Sequence, residues 1–223
     1  MTQKLAFLHT VSSLVTLFNQ LSKEILPPDV EVFHIADEML LKLALAQGGL
    51  SPFIYRRVAD HVVAAEHAGA SVVQFTCSSI SPCADVSGPL VSIPVLKVDE
   101  PMVDQAIWTG EHIGVAATAA TTLKPTMDLV RTRALHFGQP VQVDAQLAPG
   151  AFAALMAGDA DTHDRIVKET IQSLMSRNQV VLLAQASMAR VLDTIPLEER
   201  PVPVLTSPRL AMERAAKVLK ELK

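Results

Sequence analysis

The residues best equipped for chemistry stand in the run Gln74-Phe75-Thr76-Cys77-Ser78-Ser79-Ile80-Ser81-Pro82. A thiol flanked by three hydroxyls follows the apolar stretch Ala70-Ser71-Val72-Val73, which reads as a short buried strand. A helix opening just after Cys77 would set free N–H groups and the positive end of its dipole against the sulfur. That arrangement lowers a thiol pKa and creates an anion site. A thiol so placed has three uses. As a thiolate it takes a proton from a carbon beside a carboxylate. As a thiol it protonates a carbanion formed by another route, such as decarboxylation. As a nucleophile it adds to a double bond and permits cis–trans isomerisation. Each use builds extra negative charge near a carboxylate, and such charge needs preorganised donors. Ser78 and Ser79, with Thr118, Thr121 and Thr122 of a second small-polar turn, are the candidates, and Ser12 and Ser13 suit a second polar group. Serine and threonine at such turns also cap helices, a role compatible with anion binding.

The elements that would position these residues alternate along the whole chain. The pattern predicts strands at Leu5–Leu8, Val30–Ile35, Val72–Phe75, Val95–Val98, Ile113–Ala117, 141–145, Val180–Leu183 and Val202–Leu205. It predicts helices at Ser12–Leu26, Pro52–Ala68, Asp99–Thr109, 124–137, Asp161–Arg177 and Pro208–Leu222. Strands alternating with crossover helices argue for an α/β fold with mostly parallel sheets. The Leu- and Met-rich Met39–Leu45 has helical spacing and reads as core. An internal echo is visible. Thr76-Cys77-Ser78-Ser79 follows a helix and a Val-rich strand, as does Ala184-Gln185-Ala186-Ser187; His9-Thr10-Val11-Ser12-Ser13 parallels Thr118-Ala119-Ala120-Thr121-Thr122. Two similar lobes facing one cleft follow from this, with all four turns at the carboxyl ends of strands, where α/β sheets bind ligands.

Composition removes several function classes. The chain has 223 residues, 49% hydrophobic and 19% charged, with a net charge of −4. That is enough apolar material for a sizeable core, and no basic stripe points to nucleic acid. No apolar run reaches membrane-spanning length, and Leu5–Leu8 is too short for a signal peptide. Cys77 and Cys83 read as reduced thiols of a cytoplasmic protein, with Cys83 structural. The seven histidines show neither HxxxH nor HxH spacing, and there is no CxxC, so a zinc site has no support. His9 ends the first strand beside the expected cleft, where it would serve as a partner base if it faced Cys77. Asp99 and Glu100 suit the start of a helix, and Arg190 reads as a surface charge. Neither GxGxxG nor GxxxxGK[ST] occurs, so nicotinamide, flavin and ATP are not indicated and no cofactor is expected.

Four pieces in this order and spacing resemble the aspartate/glutamate/hydantoin racemase superfamily, which also contains arylmalonate decarboxylase and maleate isomerase. They are Leu5–Ser13, Phe75-Thr76-Cys77-Ser78-Ser79, Ile113–Thr121 and Leu182-Leu183-Ala184-Gln185-Ala186-Ser187. The resemblance covers nearly the whole length. It implies a catalytic cysteine at Cys77 and a two-lobe fold, with residues 1–98 plus 208–223 in one lobe and 99–207 in the other. It also implies a homodimer or higher homo-oligomer. The chain departs from the family at Gln185, where a two-base racemase carries its second cysteine. Glutamine exchanges no proton at neutral pH. Gln185 and Ser187 are then expected to bind substrate. The reading is a cofactor-independent isomerase or racemase acting beside a carboxylate or carbonyl of a small substrate. The alternatives are a lyase such as a decarboxylase on the same scaffold, or a non-catalytic binder of small carboxylates.

Overall fold

The computed structural model describes residues 2–222. Its chain contacts gather into two units, one formed by the residues up to Asp99 together with those from Pro208 onward, the other by Glu100–Ser207.

The first unit runs β1 (Lys4–His9), α1 (Leu14–Ile25), β2 (Glu31–Ala36), α2 (Glu38–Gln47), α3 (Pro52–His67), β3 (Val72–Phe75), α4 (Cys83–Ser87) and β4 (Val95–Leu96). The four strands form a parallel sheet in the order β2-β1-β3-β4. β3 is buried along its whole length and β1 from Leu5 onward, as expected of parallel strands with helices on both faces. Period-two alternation divides β1 between two cores. Ala6 and Leu8 pack with Leu40 and Ala44 of α2 and with Ile54, Val58 and Val62 of α3. Leu5 and Phe7 pack with Phe18 and Leu21 of α1 and with Ala211, Met212 and Leu219 from the C-terminal segment.

The second unit runs α5 (Glu100–Thr109), β5 (His112–Ala117), α6 (Ala120–Phe137), β6 (Gln142–Leu147), α7 (Ala151–Met156), α8 (Ala160–Met175), β7 (Val180–Leu183), α9 (Ala189–Leu192) and β8 (Val204–Thr206). The chain then closes with α10 (Ser207–Glu221), most of which belongs to the first unit. The second sheet is also parallel, in the order β6-β5-β7-β8. One face packs Ala116, Val181 and Leu183 against Val167, Ile171 and Leu174 of α8 and Val191 of α9. Gly114 lets α8 approach β5, because a Cβ there would lie 3.1 Å from the Asn178 amide and 3.3 Å from Leu174 Cβ.

The sequence echo is a structural repeat. Shifting the numbering by 108 carries Lys4–His9 onto His112–Ala117, Pro52–His67 onto Ala160–Met175, and Val72–Phe75 onto Val180–Leu183. The two four-stranded parallel sheets flanked by helices match the expected fold class. Local boundaries differ. α6 begins at Ala120, so Thr121 and Thr122 lie in its first turn instead of a preceding loop. Pro125 inside α6 forgoes only the bond to the carbonyl four residues earlier, and the helix continues through it. α1 starts later than expected, leaving Ser12 and Ser13 in the turn before it. Among the described residues no helix is long and apolar enough to cross a membrane, and no group of three or more His, Cys, Asp or Glu is placed to hold a metal ion.

Candidate active site

The chain leaves β1 toward one edge of the first sheet and β3 toward the other, since β2 and β4 flank this central pair. The carboxyl ends of β1 and β3 therefore part at a topological switch point, the usual ligand position in open parallel sheets. Leu8 pairs with Phe75 in the ladder. Two residues further along each strand stand Thr10 and Cys77. Cys77 has extended backbone (φ −134°, ψ 121°) and opens a tight turn, Ser78–Ile80, in which Ile80 N–H donates to the Cys77 carbonyl at 3.3 Å. It is half-buried, whereas every other residue from Val72 to Ser81 is buried. Cys77 is thus the one residue of this stretch with more than marginal solvent exposure.

Burial pushes the Cys77 thiol up. The Thr10 hydroxyl, the N–H and hydroxyl of Ser79 and the Ile80 N–H pull the other way without overcoming it. The lowered thiol pKa expected from a helix opening behind Cys77 is therefore corrected. Only a three-residue 3₁₀ turn follows Cys77, and α4 is five residues long, so no extended dipole faces the sulfur. The donors instead form a small cradle for the ionised sulfur. Thr10 Oγ1 is buried without a full hydrogen bond, a donor held for the thiolate. Thr10 escaped the sequence reading. The signal that marks it is positional, because the repeat carries Thr10 onto Thr118 and Cys77 onto Gln185.

His9 is not placed as a partner base. It is fully buried, its Nδ1 lies 2.9 Å from Thr76 Oγ1, and its Nε2 lies 2.9 Å from His34 Nδ1. His34 Nε2 in turn lies 3.1 Å from Asn19 Oδ1, an acceptor in that amide, so His34 donates there. It follows that His9 Nε2–H donates to His34 and that His9 Nδ1 faces the Thr76 hydroxyl, whose one proton also has the Leu8 carbonyl as acceptor at 3.1 Å. Both ring nitrogens are used. Burial, and secondarily His34, lowers the His9 pKa to about 4, so the chain of groups is neutral at pH 7. Its effect is to brace Thr76, next to Cys77. Cys83 is buried and pushed up to about 12, by burial first and then by Asp85 and Cys77. Ser12 and Ser13 are exposed, and Ser12 N–H donates to Glu38 Oε1 at 3.2 Å; neither joins the bonds around Cys77.

In the second unit the same switch point lies between β5 and β7. Ala116 pairs with Leu183, and Thr118 and Gln185 stand two residues on. Gln185 repeats the extended backbone of Cys77 (φ −132°, ψ 137°) and opens an equivalent turn, Ala186–Met188. Its Oε1 accepts from Thr118 N–H at 2.6 Å and from Thr118 Oγ1 at 2.9 Å. The backbone donor fixes the amide orientation, which leaves Nε2 and its two N–H groups as donors. Thr118 was expected to hold substrate directly, but both its donors are spent on Gln185. Thr121 Oγ1 is buried and unpartnered in the first turn of α6, beside the N–H groups of Ala120 and Thr121, whereas those of Thr122 and Leu123 donate to the Ala119 carbonyl at 3.1 Å. Thr122 is buried and its carbonyl accepts from Thr126, so it reads as framework. Ser187 is half-buried within the turn. Arg190 is exposed, as the sequence suggested, and pairs with Asp164 at 2.7 Å, beside the buried His163. We expect Thr118→Val, which removes one of the two donors to Gln185, to lower stability by about 0.5–1.5 kcal/mol in urea unfolding. A midpoint unchanged from wild type would show that this clamp contributes nothing.

Two parallel four-stranded lobes, each with a switch-point turn and one of them bearing a thiol, define a racemase-type α/β scaffold. The family model for Asp/Glu/Hydantoin racemase matches residues 16–215, and the chain belongs to that family. The fold is similar to that of glutamate racemase from Francisella tularensis in complex with D-glutamate, at a TM-score of 0.74 and 15% identity over 99% of this chain and 82% of that one. It is also similar to Picrophilus torridus aspartate racemase, at 0.70 and 12% over 96% and 94%. Allantoin racemase from Klebsiella pneumoniae gives 0.68 and 15% over 99% and 88%. A comparison with curated proteins gave no match. Membership places the chain among racemases, a class of isomerases.

Proposed function

We propose that the protein is a cofactor-independent isomerase of the racemase type, acting at a carbon next to a carboxylate or carbonyl of a small substrate, with Cys77 as its one active-site thiol. The observation that carries this reading is the half-buried Cys77 at a switch point, with Thr10, Ser79 and Ile80 offering donors to its ionised form. A raised thiol pKa suits proton transfer. The thiol stays protonated and able to donate, and the thiolate, once formed, is a stronger base than one acidified by a helix. The turn N–H groups and the Thr10 hydroxyl limit the cost of forming it. The second turn offers neutral donors, Gln185 Nε2, the Thr121 hydroxyl and the Ala120 and Thr121 N–H groups at the start of α6, and this chemistry fits a carboxylate. The structures of similar fold include glutamate, aspartate and allantoin racemases, so amino acids with acidic side chains and ureido or hydantoin derivatives are the first substrates to try.

Gln185 favours a second reading within the same chemistry. A single thiol suffices to protonate a carbanion generated by loss of CO₂, so a lyase remains the enzymatic alternative. The test is incubation of the purified chain, without added cofactor, with single enantiomers of aspartate, glutamate, allantoin and hydantoins, and with maleate and aryl- or alkylmalonates. Chiral chromatography then reads the products. Interconversion of enantiomers or geometric isomers supports the isomerase; release of CO₂ from a malonate supports the lyase. No conversion, together with a melting temperature raised by small dicarboxylates, would make the protein a binder.

A further inference from the structure

The turn that carries Cys77 is held from behind by a carboxyl group that the chemistry above leaves unused. Asp99 is fully buried, the last residue before the chain enters the second unit. Ser81 Oγ donates to its Oδ1 at 2.8 Å. Ser81 closes the Cys77 turn, since its N–H donates to the Ser78 carbonyl at 3.2 Å, and its carbonyl accepts from Ala84 N–H at 3.0 Å at the entry to α4. The Ser78 hydroxyl also favours the ionised carboxyl, while Oδ2 is buried without a full hydrogen bond. One buried carboxylate is thus bonded to the hydroxyl at one end of the Ser78–Ser81 segment and favoured by the hydroxyl at the other. The segment's middle supplies the Ser79 and Ile80 N–H groups that favour the Cys77 thiolate.

We propose that Asp99 is a positioning residue for Cys77: its carboxylate fixes the Ser78–Ser81 turn and thereby the N–H donors that make the thiolate reactive. The inference rests on reading Cys77 as the reactive thiol, but its test uses chemical modification without substrate, so its failure is separate from failure of the proposed function. An ionised Asp99 accepts from Ser81 and is further favoured by the Ser78 hydroxyl. A protonated one offers a hydroxyl in place of an acceptor, and the grip on the turn weakens. Burial raises the Asp99 carboxyl to about 6, against the opposing effects of Ser81, its own backbone N–H, Lys97 and Ser78. The change therefore falls in an accessible range. The charged neighbours are few. Lys97 is paired with Asp85 at 2.7 Å, and Glu100, the next residue, lies 3.8 Å from Arg133. Cys77 and Cys83 both have raised pKa values and stay neutral through this range.

The experiment is alkylation of the full chain by iodoacetamide from about pH 5 to about pH 8, with the rate at Cys77 read by peptide mass spectrometry and buried Cys83 as internal control. Thiolate fraction alone raises the rate about tenfold per pH unit below the thiol pKa. The expected plot is steeper than that below about pH 6 and returns to about tenfold per unit above it. In Asp99→Asn the bend is absent, and the rate at pH 7 is about 3- to 10-fold lower, the effect of one misplaced hydrogen-bond donor set. Ser81→Ala, which removes a donor to the carboxylate, moves the bend to higher pH and keeps the proposal testable if Asp99→Asn does not fold. A wild-type plot of constant slope, a bend that persists in Asp99→Asn, or a bend unmoved in Ser81→Ala overturns the proposal.

Discussion

Replacing Cys77 with alanine will lower turnover of the true substrate by about 10²–10⁴-fold, the usual contribution of a positioned acid/base group. The fold will survive, because Cys77 is half-buried and the turn around it is closed by backbone bonds among Cys77, Ser78, Ile80 and Ser81. Cys77→Ser will recover little of the loss, since a hydroxyl ionises far less readily than a thiol. The pH profile separates this role from a structural one. Burial raises the Cys77 pKa, so any step that needs the thiolate will still be gaining rate at the ordinary thiol pKa of about 8.5. Steady-state rates of wild type and the two variants over pH 6–9.5, with circular dichroism melts alongside, are the measurement. A Cys77→Ala variant that retains full turnover would end the thiol mechanism.

The second large effect is on stability. Asp37 follows β2 and caps α2, accepting from Met39 N–H at 3.2 Å, while its other oxygen accepts from Arg57 Nε at 2.5 Å and His61 Nε2 at 2.8 Å on α3. Its own N–H donates to the His9 carbonyl at 2.9 Å, which ties this cap to the end of β1. Burial alone would raise the Asp37 pKa, but Arg57 and His61 outweigh it and the net shift is downward. Asp37→Ala removes a helix cap and the acceptor for two side chains of α3. Arg57 is 41% exposed, so water compensates part of the loss. The expected cost is about 2–3 kcal/mol, or a melting temperature lower by roughly 5–10 °C. The folded-state pKa lies below the unfolded one. The stabilisation is therefore fully present above the unfolded value, about 3.9, and is lost as pH falls through the folded value. Wild type and Asp37→Ala should differ by a constant amount from pH 6 to 8 and converge below about pH 4. A constant difference down to pH 3 would show that the ionised carboxylate is not the source.

The fold was readable because both sheets are parallel and covered on both faces. Val180–Leu183 stands out as an unbroken apolar run and Val72–Phe75 as one interrupted only by Gln74, and the structure gives them those bounds. Edge elements were less legible. β4 is two residues long, and α7 was missed because Ala151–Met156 is too short to show a helical period. At the candidate site, residue types pointed to the turns but not to who bonds whom. Thr118 and Gln185 were read as separate contacts with a substrate, whereas the ladder register sets them opposite each other. His9 looked poised for the cleft because a strand end carries no record of which side its ring takes. Asp99 read as a helix opener; its burial against Ser81 depends on contacts that cross eighteen positions of chain. The direction of the Cys77 shift was the largest miss. A thiol's pKa depends on whether a real helix follows it, and Ser78–Ser81 followed by Pro82 does not reveal that its helical stretch stops after one short turn.

The most direct test of the central claim is proton NMR in D₂O of wild type and Cys77→Ala with single enantiomers of aspartate, glutamate, allantoin and hydantoins. Thiol-dependent carbon-acid chemistry predicts that the α-proton signal of at least one of these fades with wild type and persists with Cys77→Ala. Equal fading with both proteins, or no fading with wild type alongside an inert Cys77, would contradict it.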